Sequence, residues 1–278
     1  MVYLLLAILS SAMISIIMRL SSGKINADLS MLATNYFICT LLSAITANFQ
    51  LALPQVEGFG TTIFLGIISG GLYLGGFMLF QANTNKYGVV LSSVFMKLGL
   101  LVPIVASVLI FREVPGVLQI AGFCIAILAI VLINRPEGKG KKTLGVGLIL
   151  NLLLCGFADV MAKFFEALAP QSLSAQYLFY TFAVAFALCF ILVARKKERP
   201  GLREFLFGAL IGIPNFFSAK FLVASLAELP AVVVYPTFSV GTLLIVTLMG
   251  VIAFRERLRK LQWLALGAII LALILLNI

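Results

Sequence analysis

The chain of 278 residues is 62% hydrophobic and only 11% charged, with a mean hydropathy of +1.16. A water-soluble domain of this length does not bury so much apolar surface, so the composition predicts a protein of the lipid bilayer. The net charge of +10 with no His does not indicate a nucleic-acid binder, because the basic residues lie in short connections between long apolar runs and not on one face interleaved with aromatic residues.

The first half of the chain contains five apolar segments of near-spanning length. The first segment has no basic stretch before it and no clear small-residue cleavage site, so we predict a membrane span and not a cleaved signal peptide. Pro and Gly residues in the connections separate the segments. The predicted spans cover residues 2–18, 29–50, 60–82, 88–111 and 116–134.

The second half follows a basic connecting loop, residues 135–142, and again contains five apolar segments. The sequence therefore predicts an all-α integral membrane protein of ten transmembrane helices. Residues 1–134 and 143–278 each form a five-helix domain, which leaves no room for a water-soluble one. The predicted spans of the second half cover residues 143–165, 173–194, 204–227, 231–254 and 259–277.

The second half also repeats the first at an offset of 143 residues, and ten of the 24 residues from 111 to 134 recur unchanged. An odd number of spans in each copy sends the second copy through the bilayer in the opposite direction, and inverted repeats are frequent in secondary transporters. Glu113 and Glu256 lie at helix junctions and are predicted to cap helix ends or to pair with Arg. The clearest matches are Phe111-Arg112-Glu113 with Phe254-Arg255-Glu256, Gln119 with Gln262, and Asn134 with Asn277.

Basic residues are concentrated in every second connection. Sixteen of the 20 Lys and Arg residues lie in the odd-numbered connections, whereas the even-numbered connections hold only Arg112. The positive-inside rule then predicts that the odd-numbered connections face the cytoplasm and that both termini lie outside.

Glycines interrupt the third and eighth spans at matching positions. Gly66 and Gly70 of the third span correspond to Gly208 and Gly212 of the eighth, which Pro214 also interrupts. Matched interruptions in the two halves are typical of a transporter's central site. Close packing of two helices is the other interpretation, because small residues let backbones approach.

Charged residues within the spans are costly in a bilayer and are therefore candidate site residues. Lys97 lies near the middle of the fourth span, too deep for its ammonium group to reach the surface easily. Asp159 and Lys163 lie one turn apart in the sixth span, where they pair with each other or where Asp159 serves as a partner of Lys97 or a proton carrier. Lys220, in the eighth span, is close enough to the helix end to reach the surface.

Aromatic and polar residues near the helix interruptions are the remaining candidates for the substrate site. Their rings offer faces to apolar or cationic groups, and their hydroxyls bind polar groups, although most membrane aromatics serve packing or the interface. The candidates are Tyr36 and Tyr180, which match in the repeat, Tyr73 and Phe216, which also match, Asn215 after Pro214, and Tyr235 beside Pro236.

The sequence contains no pattern of catalytic or metal-binding residues. His is absent, and so is a Gly-rich ATP-binding loop followed by Lys-Ser/Thr, so we predict no enzyme activity, no metal and no cofactor. The Cys residues lie within spans without metal-ligand spacing and are predicted to be buried small hydrophobic residues. They are Cys39, Cys124, Cys155 and Cys189.

The chain resembles the ten-helix, EamA-type branch of the drug/metabolite transporter superfamily along its whole length. Many relatives have Arg in the second span where this chain has Asn35, so the resemblance does not carry an anion contact to that position. The residues that carry the resemblance are the duplicated Phe-(Arg/Gly)-Glu elements at 111–113 and 254–256, Gln119, Gln262, Arg19, Lys163 and the stretch Val94-Phe95-Met96-Lys97-Leu98-Gly99.

The resemblance implies a multi-pass permease of the plasma or inner cell membrane that moves small molecules by alternating access, with both termini in the cytoplasm. That orientation conflicts with the distribution of Lys and Arg, which predicts that both termini lie outside. Family substrates include amino acids, other metabolites, nucleotide sugars and cationic drugs. Lys97 favours an anionic or zwitterionic metabolite such as an amino acid, whose amino group Asp159 would bind. The alternatives are an exporter of cationic drugs or quaternary amines and a passive channel. Gly-rich faces also leave a homodimer open.

Overall fold

The computed structural model describes residues 1–21, 24–87, 92, 95, 96, 98–133, 145–198, 201–252 and 260–278, so Lys97, Glu256 and the loop 135–142 lie outside the described residues. Within the described ranges the chain forms ten α-helices and no strand. A 3₁₀ turn, Gln171–Leu173, precedes the seventh helix. The helices are α1 (Val2–Ser21), α2 (Asp28–Thr46), α3 (Phe59–Tyr87), α4 (Leu101–Leu109), α5 (Val117–Ile133), α6 (Val146–Leu168), α7 (Ser174–Lys196), α8 (Leu202–Leu226), α9 (Ala231–Ile252) and α10 (Lys260–Leu276).

Seven of the helices in the described part of the chain are long and apolar enough to cross a membrane: α1, α2, α3, α6, α7, α8 and α9. The apolar helices α5 and α10 have 17 residues each, and α4 is described over nine. Large apolar side chains are exposed along the helices, among them Leu5 (60%), Phe64 (63%) and Leu264 (64%). Such a surface requires lipid around it, as the composition predicts.

The helices form two compact units that each combine both halves of the sequence. The first unit contains Met1–Leu74 and Met161–Glu228, and the second contains Gly75–Val160 and Leu229–Ile278. The helices α3 and α6 therefore contribute residues to both units. The division into five-helix domains at residues 135–142 stays a prediction about the repeats.

In the first unit, the repeat-matched glycines lie where helices cross closely. A Cβ atom on Gly66 of α3 would lie 2.8 Å from Cβ of Tyr180 in α7, and one on Gly212 of α8 would lie 2.7 Å from Cβ of Ile38 in α2. Gly70 and Gly208 are equally close to α7 and α2. The third helix of each half thus packs against the second helix of the other. Close packing, one of the two interpretations left open by the sequence, is the one observed for these four glycines.

Two carboxylates bind the beginning of α2. Ser30 donates to Glu198 Oε2 from both its backbone N–H and its hydroxyl, each at 3.2 Å. The backbone N–H of Asn26 donates to Glu204 Oε1 at 2.9 Å. Negative charge at a helix N-terminus is favourable, because the first N–H groups of a helix have no partner within it. These contacts tie the α7–α8 connection to the α1–α2 connection.

In the second unit, α5 packs along α10 through small and branched residues that include Ala126, Ala129 and Ile269. The Phe-Arg-Glu element at 111–113 forms a corner in which Arg112 has a φ of 54°, a left-handed conformation that favours Gly. Glu113 Oε2 accepts a hydrogen bond of 3.1 Å from the backbone N–H of Val232 at the beginning of α9. The prediction that Glu113 caps a helix end is confirmed.

The cysteines are only partly as predicted. Cys39 and Cys189 are buried and Cys155 is half-buried, but Cys124 is exposed on α5. The exposed thiol contradicts its predicted burial, because one face of a membrane helix is covered by lipid and not by protein.

Candidate functional site

Asp159 and Tyr235 meet in the second unit. Asp159 lies in the middle of α6, about 20 Å from the first residue of the helix and about 13 Å from the last at 1.5 Å per residue, and its side chain is half-buried. The Tyr235 hydroxyl donates to the backbone carbonyl oxygen of Asp159 at 2.6 Å. The bond joins α9, next to Pro236, to the turn of α6 that contains Asp159. Two of the predicted site residues are thus brought together.

An aromatic cluster lies in the first unit around a residue that the sequence analysis did not select, Phe182. The rings of Tyr36 and Tyr73 each lie 6.4 Å from the Phe182 ring, between centroids. Tyr36 and Phe182 are buried, at 4% and 1% exposure, and Tyr73 is partly exposed. Two predicted aromatics on different helices therefore converge on α7.

Beside this cluster is a hollow of about 270 Å³. Its polar groups already have partners in the protein, because Tyr177 donates to Ser69 Oγ at 3.2 Å and Thr181 donates to the Tyr177 carbonyl oxygen at 2.8 Å. That volume includes space open to the outside, and only about 10 Å³ of it admits the centre of a water-sized group. Most ligand pockets measure ~300–1,000 Å³, so the hollow suits one small group. Its lining consists of Tyr73, Ala162, Tyr177, Leu178, Thr181, Phe182, Ala219, Leu222 and Val223.

Tyr73 is the lining residue predicted from the sequence, whereas Tyr177, Thr181 and Phe182 are not among the predicted site residues. Tyr177 and Thr181 are one turn apart and therefore lie on one face of α7. That spacing is the signal in the sequence that could have identified these two residues. It is weak, because α7 is rich in aromatic residues throughout, and spacing alone does not show which of them face a hollow.

On α8, the predicted residues have separate partners. Asn215 donates through Nδ2 to Asn35 Oδ1 at 3.1 Å, which forms a polar pair between α8 and α2. Phe216 is 2% exposed. The Lys220 ammonium group lies 5.8 Å from the centroid of the Phe216 ring, a cation–π distance.

Tyr180 and Lys163 have anchoring contacts in the first unit. The Tyr180 hydroxyl donates to the carbonyl oxygen of Leu51 at 3.0 Å and so holds the α2–α3 connection. Lys163 Nζ bonds to Glu166 Oε2 at 2.6 Å. The structure thus gives Lys163 a carboxylate partner that the sequence analysis did not consider.

The remaining predicted residue, Lys97, lies outside the described residues. Among the residues that are described, no group of three His, Cys, Asp or Glu side chains is arranged to hold a metal ion.

Comparison with known proteins agrees with this architecture. The model of the EamA-like transporter family matches residues 1–135 and 144–278. A Haemophilus influenzae protein described as "Uncharacterized protein" is 24% identical over 276 residues, which cover 95% of this chain and 93% of the relative. A crystal structure of another protein aligns with a TM-score of 0.73 at 15% identity, over 99% of this chain and 94% of that one, and so shares the fold. The chain belongs to the EamA-like transporter family and is a multi-pass membrane transporter of small molecules with the two-repeat, ten-helix fold predicted from its sequence.

Proposed function

We propose that this chain is a secondary transporter that carries a small anionic or zwitterionic metabolite, such as an amino acid, by alternating access. The observation that carries the proposal is the position of Asp159 in the middle of a membrane helix. A charged side chain at such a depth costs at least ~2.5–3.5 kcal/mol. Intramembrane charges of this kind line solute or proton pathways or pair with each other.

The second half of the proposal concerns Lys97. It lies 14 residues before Phe111 in the fourth predicted span, where its ammonium group requires an anionic or polar partner. A fixed positive charge attracts a carboxylate or phosphate and repels a pure cation. Asp159 would bind the amino group of a zwitterion. Together, Lys97 and Asp159 would therefore favour an amino-acid-like solute over a quaternary amine.

The test is the thermal stability of the detergent-purified protein in the presence of amino acids, nucleotide sugars, purines and quaternary amines. A compound at 100 times its Kd contributes about 2.7 kcal/mol of stabilisation if it binds only the native state. We expect stabilisation by carboxylate-bearing compounds. The affinity should fall at least about tenfold in Lys97→Met, because a hydrogen bond to a charged group contributes ~1.5–3 kcal/mol.

The matched controls separate charge recognition from general damage. Asp159→Asn should weaken binding of zwitterions more than binding of dicarboxylates without an amino group. Glu57→Gln changes an exposed carboxylate in the α2–α3 connection and should leave binding unchanged. Stabilisation by quaternary amines alone would contradict the proposal and favour the cation exporter. Uptake into proteoliposomes that never exceeds the external concentration, with every gradient applied, would favour a passive channel.

A further inference from the structure

Asn151, in the part of α6 that belongs to the second unit, has an unpaired buried donor. Its side chain is 0% exposed. Within the described part of the chain nothing accepts a hydrogen bond from its Nδ2 atom. The amide oxygen accepts a long contact of 3.8 Å from the Cys155 thiol, so the amide is oriented with its nitrogen away from Cys155.

An unpaired amide in a membrane helix is unfavourable. Hydrocarbon offers no acceptor, and a buried donor without a partner loses the hydrogen bonds that it made in water. Leucine has the same branched set of side-chain heavy atoms and would avoid this loss. A buried donor of this kind is satisfied when an acceptor from outside the protein binds beside it.

The amide lies on the same side of α6 as the charged residue of the proposed site. Asn151, Cys155 and Asp159 follow one another at intervals of four residues. At 100° per residue the three side chains fall within an arc of about 80°. A solute that reaches Asp159 along this face would pass Asn151.

Close contacts fix α6 on both sides of Asn151. One turn earlier, Asn83 of α3 donates to the Gly147 carbonyl oxygen at 2.7 Å. Five residues later, a Cβ atom on Gly156 would lie 2.5 Å from the carbonyl oxygen of Gly99, beside α4. The amide is therefore presented by a helix that has little freedom to move, as a binding group requires.

We propose that Asn151 is a substrate-contact residue whose Nδ2 atom donates a hydrogen bond to an oxygen atom of the transported solute, such as one of a carboxylate or phosphate. The inference rests on the proposed transport function and adds a neutral donor to its two charged residues.

Its first test is reactivity with a water-soluble reagent. Asn151→Cys is made in a chain whose four native cysteines are replaced by alanine, and the detergent-purified protein is treated with the anionic reagent 2-sulfonatoethyl methanethiosulfonate. Because Asn151 is buried in this conformation, we expect modification as the solute path opens during alternating access, more slowly than at Glu57→Cys, an exposed reference. Ala126→Cys, at a position 0% exposed between α5 and α10, should stay unmodified. A rate as low as that of Ala126→Cys would overturn the inference.

The same measurement distinguishes this inference from the proposed function. If the cationic trimethylammonium reagent modifies Asn151→Cys faster than the anionic one, Asn151 faces the solute path, but the anionic substrate class is contradicted.

The second test needs no cysteine replacement. Asn151→Leu should leave the melting temperature of the ligand-free protein unchanged or higher, because it removes an unpaired donor. The same variant should raise the Kd of the amino acids that stabilise the wild type about tenfold. An unchanged Kd would overturn the inference. If no compound stabilises the wild type, the proposed substrate class fails, and the cysteine modification still decides the role of Asn151.

Discussion

At the scale of single residues, Tyr235 joins two membrane helices through one hydroxyl. It is 1% exposed, and it donates to the main-chain carbonyl of Asp159. The bond therefore holds α9 to α6. A buried hydroxyl in a membrane needs such an acceptor, because lipid offers none.

We expect Tyr235→Phe to lower the free energy of unfolding by about 0.5–1.5 kcal/mol, the net contribution of one hydrogen bond. The ring stays in place, so packing is preserved. Thermal unfolding in detergent measures the change, and Tyr3→Phe, at a side chain with 41% exposure, is the control. Equal melting temperatures for Tyr235→Phe and the wild type would contradict a stabilising role of the bond.

The pairing of individual side chains was the part of the site least accessible from the sequence. Lys163 has carboxylates four residues before it and three after it, and helical spacing allows both pairs. The structure shows the bond to Glu166. The contact between Asn35 and Asn215 joins residues 180 positions apart, and no local pattern predicts which distant helix a polar residue will meet.

At the scale of helices, the glycines set which elements can approach each other. Gly70 of α3 leaves no space for a side chain against Thr181 and Val184 of α7, whereas a Cβ atom on the next residue, Gly71, would meet no atom within 4 Å. The sequence identified the matched glycines but not their partners. The spacing of glycines shows which face of a helix carries small residues. The helix that packs against this face depends on the arrangement of the whole chain.

These neighbours offer a matched pair of substitutions. Gly70→Ala should destabilise the protein by about 1–3 kcal/mol, because a methyl group forced into a filled contact shifts the helices. Gly71→Ala should be neutral or stabilise it by up to ~1 kcal/mol, because alanine favours the helix. Thermal unfolding of both variants decides the matter. Similar effects of the two substitutions would show that the α3–α7 contact does not limit stability.

At the scale of the whole molecule, two contacts in the first unit bear on the side of the membrane that each connection occupies. The seventh connection meets the beginning of α2, next to the first connection, where Ser30 bonds to Glu198. The amino group of Met1 lies 3.3 Å from Glu228 in the eighth connection. The seventh connection thus lies beside the end of the first, and the N-terminus lies beside the eighth, as alternate crossing of a membrane requires.

The charge distribution adds an absolute direction, with the odd-numbered connections in the cytoplasm. We therefore expect Glu57→Cys to react with a membrane-impermeant maleimide added to intact cells and Lys196→Cys to react only after the cells are opened. Both variants carry alanine at the native cysteine positions. The reverse result would place both termini in the cytoplasm, as the family resemblance implies.

Much of this architecture follows from the sequence. Apolar runs mark the ten helices, and the match of residues 111–134 to 254–277 marks the repeat. Which helices form each compact unit does not follow from the sequence. The boundary within α3, between Leu74 and Gly75, arises from contacts with helices far along the chain. Hydropathy reports only contact with lipid.

The mixing of both halves within each unit also bears on how the protein is made. Gly66 packs against residues 177–181, which a ribosome adding ~5–20 residues per second completes about 6–23 s later. Until those residues are made, the glycine face of α3 lacks its partner α7 and is exposed to lipid or to other nascent helices. A chain whose synthesis stops at residues 135–142 contains every helix of its first half, yet the partners of α2, α3 and α5 have not been synthesised. Such a half-length product would expose the faces of small residues that the second half covers in the complete chain.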